Sequence, residues 1–184
     1  MEPLDILVSR QSCGKLTEPA PEGQALDNIL AAGLRAPDHA GLSPWRFMLY
    51  QGDARAKLGE IYALAARREN PDCDPSVLDR AHQLPQRAPI VIVAIASPTY
   101  HAKVPEVEQI MSAGCAVMAM QQAAQAQGFN GMWRTGTYAY SDTVKCELGL
   151  KESESIVGFL YLGTPEVKLP QKPARKIADY VEYC

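Results

Sequence analysis

The sequence predicts a single domain of mixed helices and strands, and three observations carry that expectation. The chain has 184 residues, a length that most naturally makes one domain. Two β-branched runs, residues 89–97 (PIVIVAIAS) and 156–164 (IVGFLYLGT), read as strands buried on both faces. Around them, apolar residues recur at helical spacing, giving about four strands and six helices in mixed order. That order leaves the strand pairing open.

Leu4, Leu7 and Val8 share one face of a short first helix ending near Arg10. A second helix runs over about residues 22–35, with Leu26, Ile29, Leu30 and Leu34 in register, and Pro37 stops it. Residues 45–50 read as a strand closed by the turn Gln51-Gly52-Asp53. A third helix places Leu58, Ile61, Tyr62 and Ala65 on one side. After a loop at 70–75, Asp74 as N-cap and Pro75 in the first turn start a short helix reaching Gln83. Residues 105–127 form the longest helix, with Pro105 inside its start and Gly128 just past its end. Its small residues, among them Ala113, Gly114, Ala116 and Ala119, would let another helix approach closely. Residues 129–135 make a short strand, and residues 141–148 a helix stopped by Gly149. The tail carries Pro165, Pro170 and Pro173 before an apolar stretch at 177–183. Such a tail suits wrapping a partner and adding a strand to its sheet.

Composition narrows the function classes. Hydrophobic residues are 47% and charged residues 21%, ordinary for a globular protein. A net charge of −3 argues against nucleic acid as a partner. The longest apolar run, residues 88–96, is too short to span a bilayer, and the N-terminus lacks the pattern of a signal peptide. Five scattered cysteines without a C-x-x-C pair suit a reducing cytoplasm better than a disulfide framework or a zinc site. The phosphate-loop, dinucleotide-loop, zincin and nucleophile-elbow motifs do not occur. With only His39, His82 and His101 available, no catalytic metal or protein nucleophile is expected, and a bound organic cofactor would remove the need for one.

Three segments stand out as candidate binding residues. Arg10-Gln11-Ser12 follows the first helix, where a guanidinium and polar donors suit a phosphate or an electron-rich ring edge. An arginine there also suits a solvated helix terminus. The segment from Arg35 through Pro37 and His39 to Pro44-Trp45 is a rigid corner between helix and strand, able to project Arg35 and His39. A plain helix stop is the alternative. Residues 128–136 (GFNGMWRTG) bracket a strand with glycines, which admit a flat ligand to the backbone, and Trp133 offers a stacking face. A helix cap followed by a core strand is the other reading. Cys115, mid-helix among alanines, is expected to be a buried inert thiol.

Taken together, RQS at 10–12, LRAPDHAGLSPW at 34–45, the run at 111–136 and GFLYLGTP at 158–165 resemble the FMN-dependent nitroreductase family, especially its compact bacterial members. The resemblance covers nearly the whole chain. It implies an α+β fold with a mixed, largely antiparallel sheet flanked by helices. Residues 1–184 would form one FMN-binding domain, with 165–184 as an extended tail on the dimer partner. It implies a homodimer with FMN shared between subunits. Arg10, Gln11 and Ser12 would hold the flavin, Arg35 and His39 would reach the partner's flavin, and Gly131, Met132 and Trp133 would line it. A nicotinamide-dinucleotide contact is implied at Gln121, Gln122, Ala123, Ala124, Gln125 and Ala126. The implied activity is hydride transfer from NADH or NADPH through FMN to a nitroaromatic, quinone or similar small acceptor, with ping-pong kinetics. Two departures stand out: glutamine replaces a usual second arginine at position 11, and Gly41 and Ser43 replace larger polar residues before Pro44-Trp45. Two other classes fit the residues: a non-catalytic flavin-binding homodimer, such as a sensor or storage protein, and a structural homodimer without cofactor.

Overall fold

The structure is a computed structural model describing residues 3–170 and 172–184. The two apolar runs form its central strands, because a strand without a polar face is stable only when both faces are covered. Among the described residues five strands make the sheet: β1 (Leu16–Thr17), β2 (Trp45–Gln51), β3 (Ile90–Ala96), β4 (Asn130–Arg134) and β5 (Ser155–Pro165). β5 pairs with β3, β4 and β1, and β2 pairs with β3, every pairing antiparallel. The expected α+β class and antiparallel sheet are thus observed.

Among the described residues seven α-helices accompany the sheet: α1 (Pro3–Ser9), α2 (Gly23–Gly33), α3 (Ala54–Glu69), α4 (Pro75–Gln83), α5 (Glu106–Ala126), α6 (Thr137–Tyr140) and α7 (Asp142–Glu147). The alternation of side chains along β3 splits the core in two. Val91, Val93 and Ile95 pack with Leu58 and Tyr62 of α3 and with Val144 of α7. Ile90, Ile92 and Ala94 pack with Ile29 of α2 and with Val117 and Met120 of α5. Ala94 pairs with Gly158 but Ile95 with Ile156, so Val157 is an extra residue and β5 carries a bulge. Among the described residues, no helix is long and apolar enough to cross a membrane.

Several boundaries differ from expectation. The second helix ends at Gly33, and Leu34 is its C-cap rather than a core residue. Pro105 is the N-cap of α5, in extended backbone, rather than its first helical residue. β1 and α6 are too short to leave a periodic signal. Leu4, Leu7 and Val8 do share a face of α1, and that face is exposed. Cys115 is exposed on the outer side of α5, not buried, because an alanine-rich helix does not declare in sequence which face turns inward. Residues 177–183 are not a strand in the single chain. Ile177–Asp179 makes one 3-10 turn, and Ile177, Tyr180 and Tyr183 are exposed.

Candidate functional site

The site is assembled at one carbonyl. The Gly131 oxygen on β4 accepts the Cys13 N–H at 3.0 Å and the Gln121 Nε2–H of α5 at 2.7 Å. Three stretches distant in sequence are thereby tied together. Around the tie, Arg10, Ser12, Met118, Gln121, Trp133 and Thr135 line a cleft of about 460 Å³. Trp133 is 36% exposed, and its Nε1–H donates to the Val157 oxygen at 3.1 Å.

A larger cleft, about 910 Å³, meets the first at Arg10 and is also lined by Gln11, Gln125, Asn130, Lys172 and Arg175. The tail supplies the last two. It is held by Gln11 Nε2, which donates to the Pro170 oxygen at 3.1 Å, and by the Glu166 N–H, which donates to the Lys15 oxygen at 3.1 Å. Arg10, Lys172 and Arg175 face a lining that carries no carboxylate among the described residues, in a chain of net charge −3. Cations gathered against the overall charge create a local potential suited to an anion.

The strand after α5 splits its residues between two faces, as pleating requires. Trp133 faces the cleft with Arg10. Met132 and Arg134 do not line that cleft; they line a neighbouring cavity of about 370 Å³, which Trp133 and Thr135 also border and where the Arg134 guanidinium lies 5.5 Å from the centre of the Tyr161 ring. Gly131 is buried, and a side chain there would come within 2.8 Å of the Tyr161 oxygen. The close approach that its glycine permits is that of β5.

Arg35 and His39 line neither cleft of their own chain. They stand exposed on the corner expected from sequence. The Asp38 carboxylate organises that corner by accepting the Leu42 N–H at 2.9 Å and the Ser43 N–H at 2.7 Å. Ala40 and Ser43 take positive φ, 65° and 48°, conformations that need such outside support. The corner is fastened to the N-terminal half of α5: Ser112 Oγ donates to the Pro37 oxygen, and His39 Nδ1 lies 2.8 Å from Glu108 Oε2.

The stretch Gln121–Ala126 does not present one face. Gln121 and Ala124 turn inward, Gln122 and Ala123 are half-buried, and Ala126 is exposed. Gln125 Nε2 donates to Ser9 Oγ at 3.3 Å beside the larger cleft. Sequence reasoning passed over Met118, Thr135, Lys172 and Arg175. The two tail cations have no neighbour in sequence that marks them as part of a binding site.

Comparison with known proteins agrees with this geometry. The profile of the Nitroreductase family matches residues 7–164. An Escherichia coli K12 protein named "Putative NAD(P)H nitroreductase YdjA" is 46% identical over 168 residues, covering 91% of each chain. A nitroreductase-like protein from Bacillus cereus has the same fold, with TM-score 0.83 at 21% identity over 100% of this chain and 96% of that one. A Bacteroides fragilis nitroreductase crystallised with bound FMN superposes with TM-score 0.75 at 19% identity, over 100% of this chain and 99% of the other. The chain belongs to the nitroreductase family.

Proposed function

We propose that the protein is an FMN-dependent oxidoreductase that takes electrons from NADH or NADPH and delivers them to a nitroaromatic, quinone or similar small acceptor. One observation carries the reading: a cationic cleft and an indole-walled cleft meet at Arg10. That donor set fits FMN, which joins a phosphate to a flat aromatic ring. Arg10, Lys172 and Arg175 would hold the phosphate by charge-assisted hydrogen bonds. Ser12 and Gln11 would offer polar contacts, and Trp133 a stacking face. The name of the Escherichia coli relative and the FMN in the Bacteroides fragilis crystal support the assignment. The cofactor, when bound, supplies the hydride and electron chemistry. The protein's part is to orient the ring, to place positive charge near it, and to leave one side open. Donor and acceptor would use that open side in turn, so ping-pong kinetics are expected. We assign the nicotinamide contact to the 121–126 stretch only on family likeness.

The same reading includes a homodimer. Val107, Met111, Cys115 and Met118 form an exposed stripe along α5. An antiparallel pair of α5 helices that sets Met111 of one protomer against Met118 of its partner would bury this stripe. That crossing would carry the Arg35–His39 corner, fastened to Glu108 and Ser112, to the cleft at Met118 and Gln121 of the other chain. The tail would extend onto the partner, where its apolar end finds a surface. Five cysteines suit the reducing cytoplasm as the compartment.

The test is a spectrum of the purified protein followed by turnover. Absorbance at about 450 nm and oxidation of NADH or NADPH with a quinone or nitroaromatic are expected. A yellow protein without turnover would favour the sensor or storage reading. A colourless one that takes up no added FMN would overturn the assignment.

A further inference from the structure

We propose that the β5 bulge at Val157 and Gly158, together with Gly114 on α5, is a seat that positions the Trp133 indole as the flat wall of the cleft beside Arg10 and Ser12. The inference rests on the reading of that cleft as the flavin site, but the seat itself is a matter of packing.

In a regular antiparallel ladder each residue opposes one partner. Val157 opposes none on β3, and its oxygen accepts the indole Nε1–H. The indole then lies across Gly158. A Cβ on Gly158 would overlap Nε1 and come within 2.5 Å of Cδ1, so only glycine leaves room. At the benzo end, a Cβ on Gly114 would come within 3.3 Å of Cη2. The ring is thus bordered at both ends by residues without side chains and is tethered at one nitrogen. Bulges recur beside active sites because they re-aim a strand's groups. This one turns a carbonyl toward an indole whose free edge borders the cleft. Val157, Gly158 and Gly114 are therefore positioning residues, acting through Trp133.

The sequence contains two tryptophans, so a Trp45→Phe background leaves Trp133 as the sole indole emitter. Two variants push the ring at its two ends. Gly158→Ala should shift apoprotein emission to the red and raise the FMN dissociation constant by about threefold to tenfold, the range expected when one aromatic contact is lost. A Cβ at Gly158 would also approach the Arg134 oxygen within 2.7 Å, so that variant strains the backbone as well. Within the single chain Gly114→Ala meets only the ring, and alanine favours the helix. Compared with its parent at the same oligomeric state, verified by sedimentation, it should keep a folded far-UV spectrum, shift the emission and weaken FMN binding several-fold. Adding Trp133→Phe should abolish the effect of Gly114→Ala on FMN affinity. An unshifted indole spectrum in Gly114→Ala overturns the seat. A shifted spectrum with wild-type FMN affinity overturns the indole as a flavin wall. A loss that persists in the double variant places the effect in the helix and overturns the proposal. Should the wild type itself take up no FMN, the flavin reading fails, and the apoprotein spectra still decide whether the seat exists.

Discussion

Arg10 stands where the two clefts meet, so under the proposed assignment its charge would serve an anion bound across them. Replacing it with alanine should weaken FMN binding by about 1.5–3 kcal/mol, the usual worth of a hydrogen bond to a charged group. Titration of apoprotein with FMN measures this, and unchanged affinity would count against the site assignment as a whole. Glu154 makes a different demand, on stability. Its buried carboxylate accepts Arg46 Nε–H and Nη2–H, each at 2.8 Å, with the Lys151 N–H and the Ser97 hydroxyl completing its shell. The Arg46 hydrogen bonds, outweighing burial, hold its pKa down to about 2 from a usual 4.5. A depressed carboxyl stabilises the fold above its unfolded pKa and loses that contribution as pH falls toward the folded value. Glu154→Gln should therefore cost about 3 kcal/mol at neutral pH and flatten the loss of stability between about pH 4.5 and 2. Urea unfolding at pH 7 and pH 3 tests it: an equal deficit at both values would refute the linkage.

At the scale of elements, the informative one is α5. Its inner side builds a core with Val117 and Met120, and its outer side exposes Val107, Met111 and Met118 to solvent in the single chain. A methionine 61% exposed on a helix can be changed without disturbing the core. Met111→Lys should accordingly leave secondary structure intact while shifting the protein from dimer to monomer in sedimentation. Preserved dimers would remove α5 from the proposed interface. The bulge in β5 and the corner at 35–44 illustrate a second point: at each a side chain hydrogen-bonds to irregular backbone, the Trp133 indole at the first and the Asp38 carboxylate at the second. Neither device has a periodicity, so neither could be read from spacing.

For the whole molecule, the prediction concerns sharing. Arg10 and Ser12 lie at a cleft that Arg35 and His39 of the same chain do not reach. Mixing an Arg10→Ala chain with an Arg35→Ala/His39→Ala chain should yield heterodimers with one intact site and one doubly damaged site. FMN binding should then recover in part relative to either parent homodimer. Verified subunit exchange without recovered binding would sink the shared-site arrangement and confine the corner residues to their own subunit.

The elements themselves were legible in the sequence, because burial on one or two faces leaves a period of two or of about 3.6 residues. β3 and β5, the apolar side of α2 at Leu26, Ile29 and Leu30, and the Asp74-Pro75 start of α4 stand where that patterning placed them. Arg10, Ser12 and Trp133 were legible too, as donors and a flat ring beside helix ends and glycines, and the family likeness joined them. What the sequence could not express is adjacency. Gln121, Cys13 and Gly131 meet at one carbonyl only when helix, strand and loop are packed. Lys172 and Arg175 reach Arg10 only because the tail doubles back. Cys115 turns outward because Val117 and Met120 claim the inner face of a helix whose small residues favour neither side. Local patterning determines which segments are helix or strand, since it reports each segment's own burial. The site is a property of contacts between segments far apart in the chain, and those exist only once tertiary packing has chosen the faces.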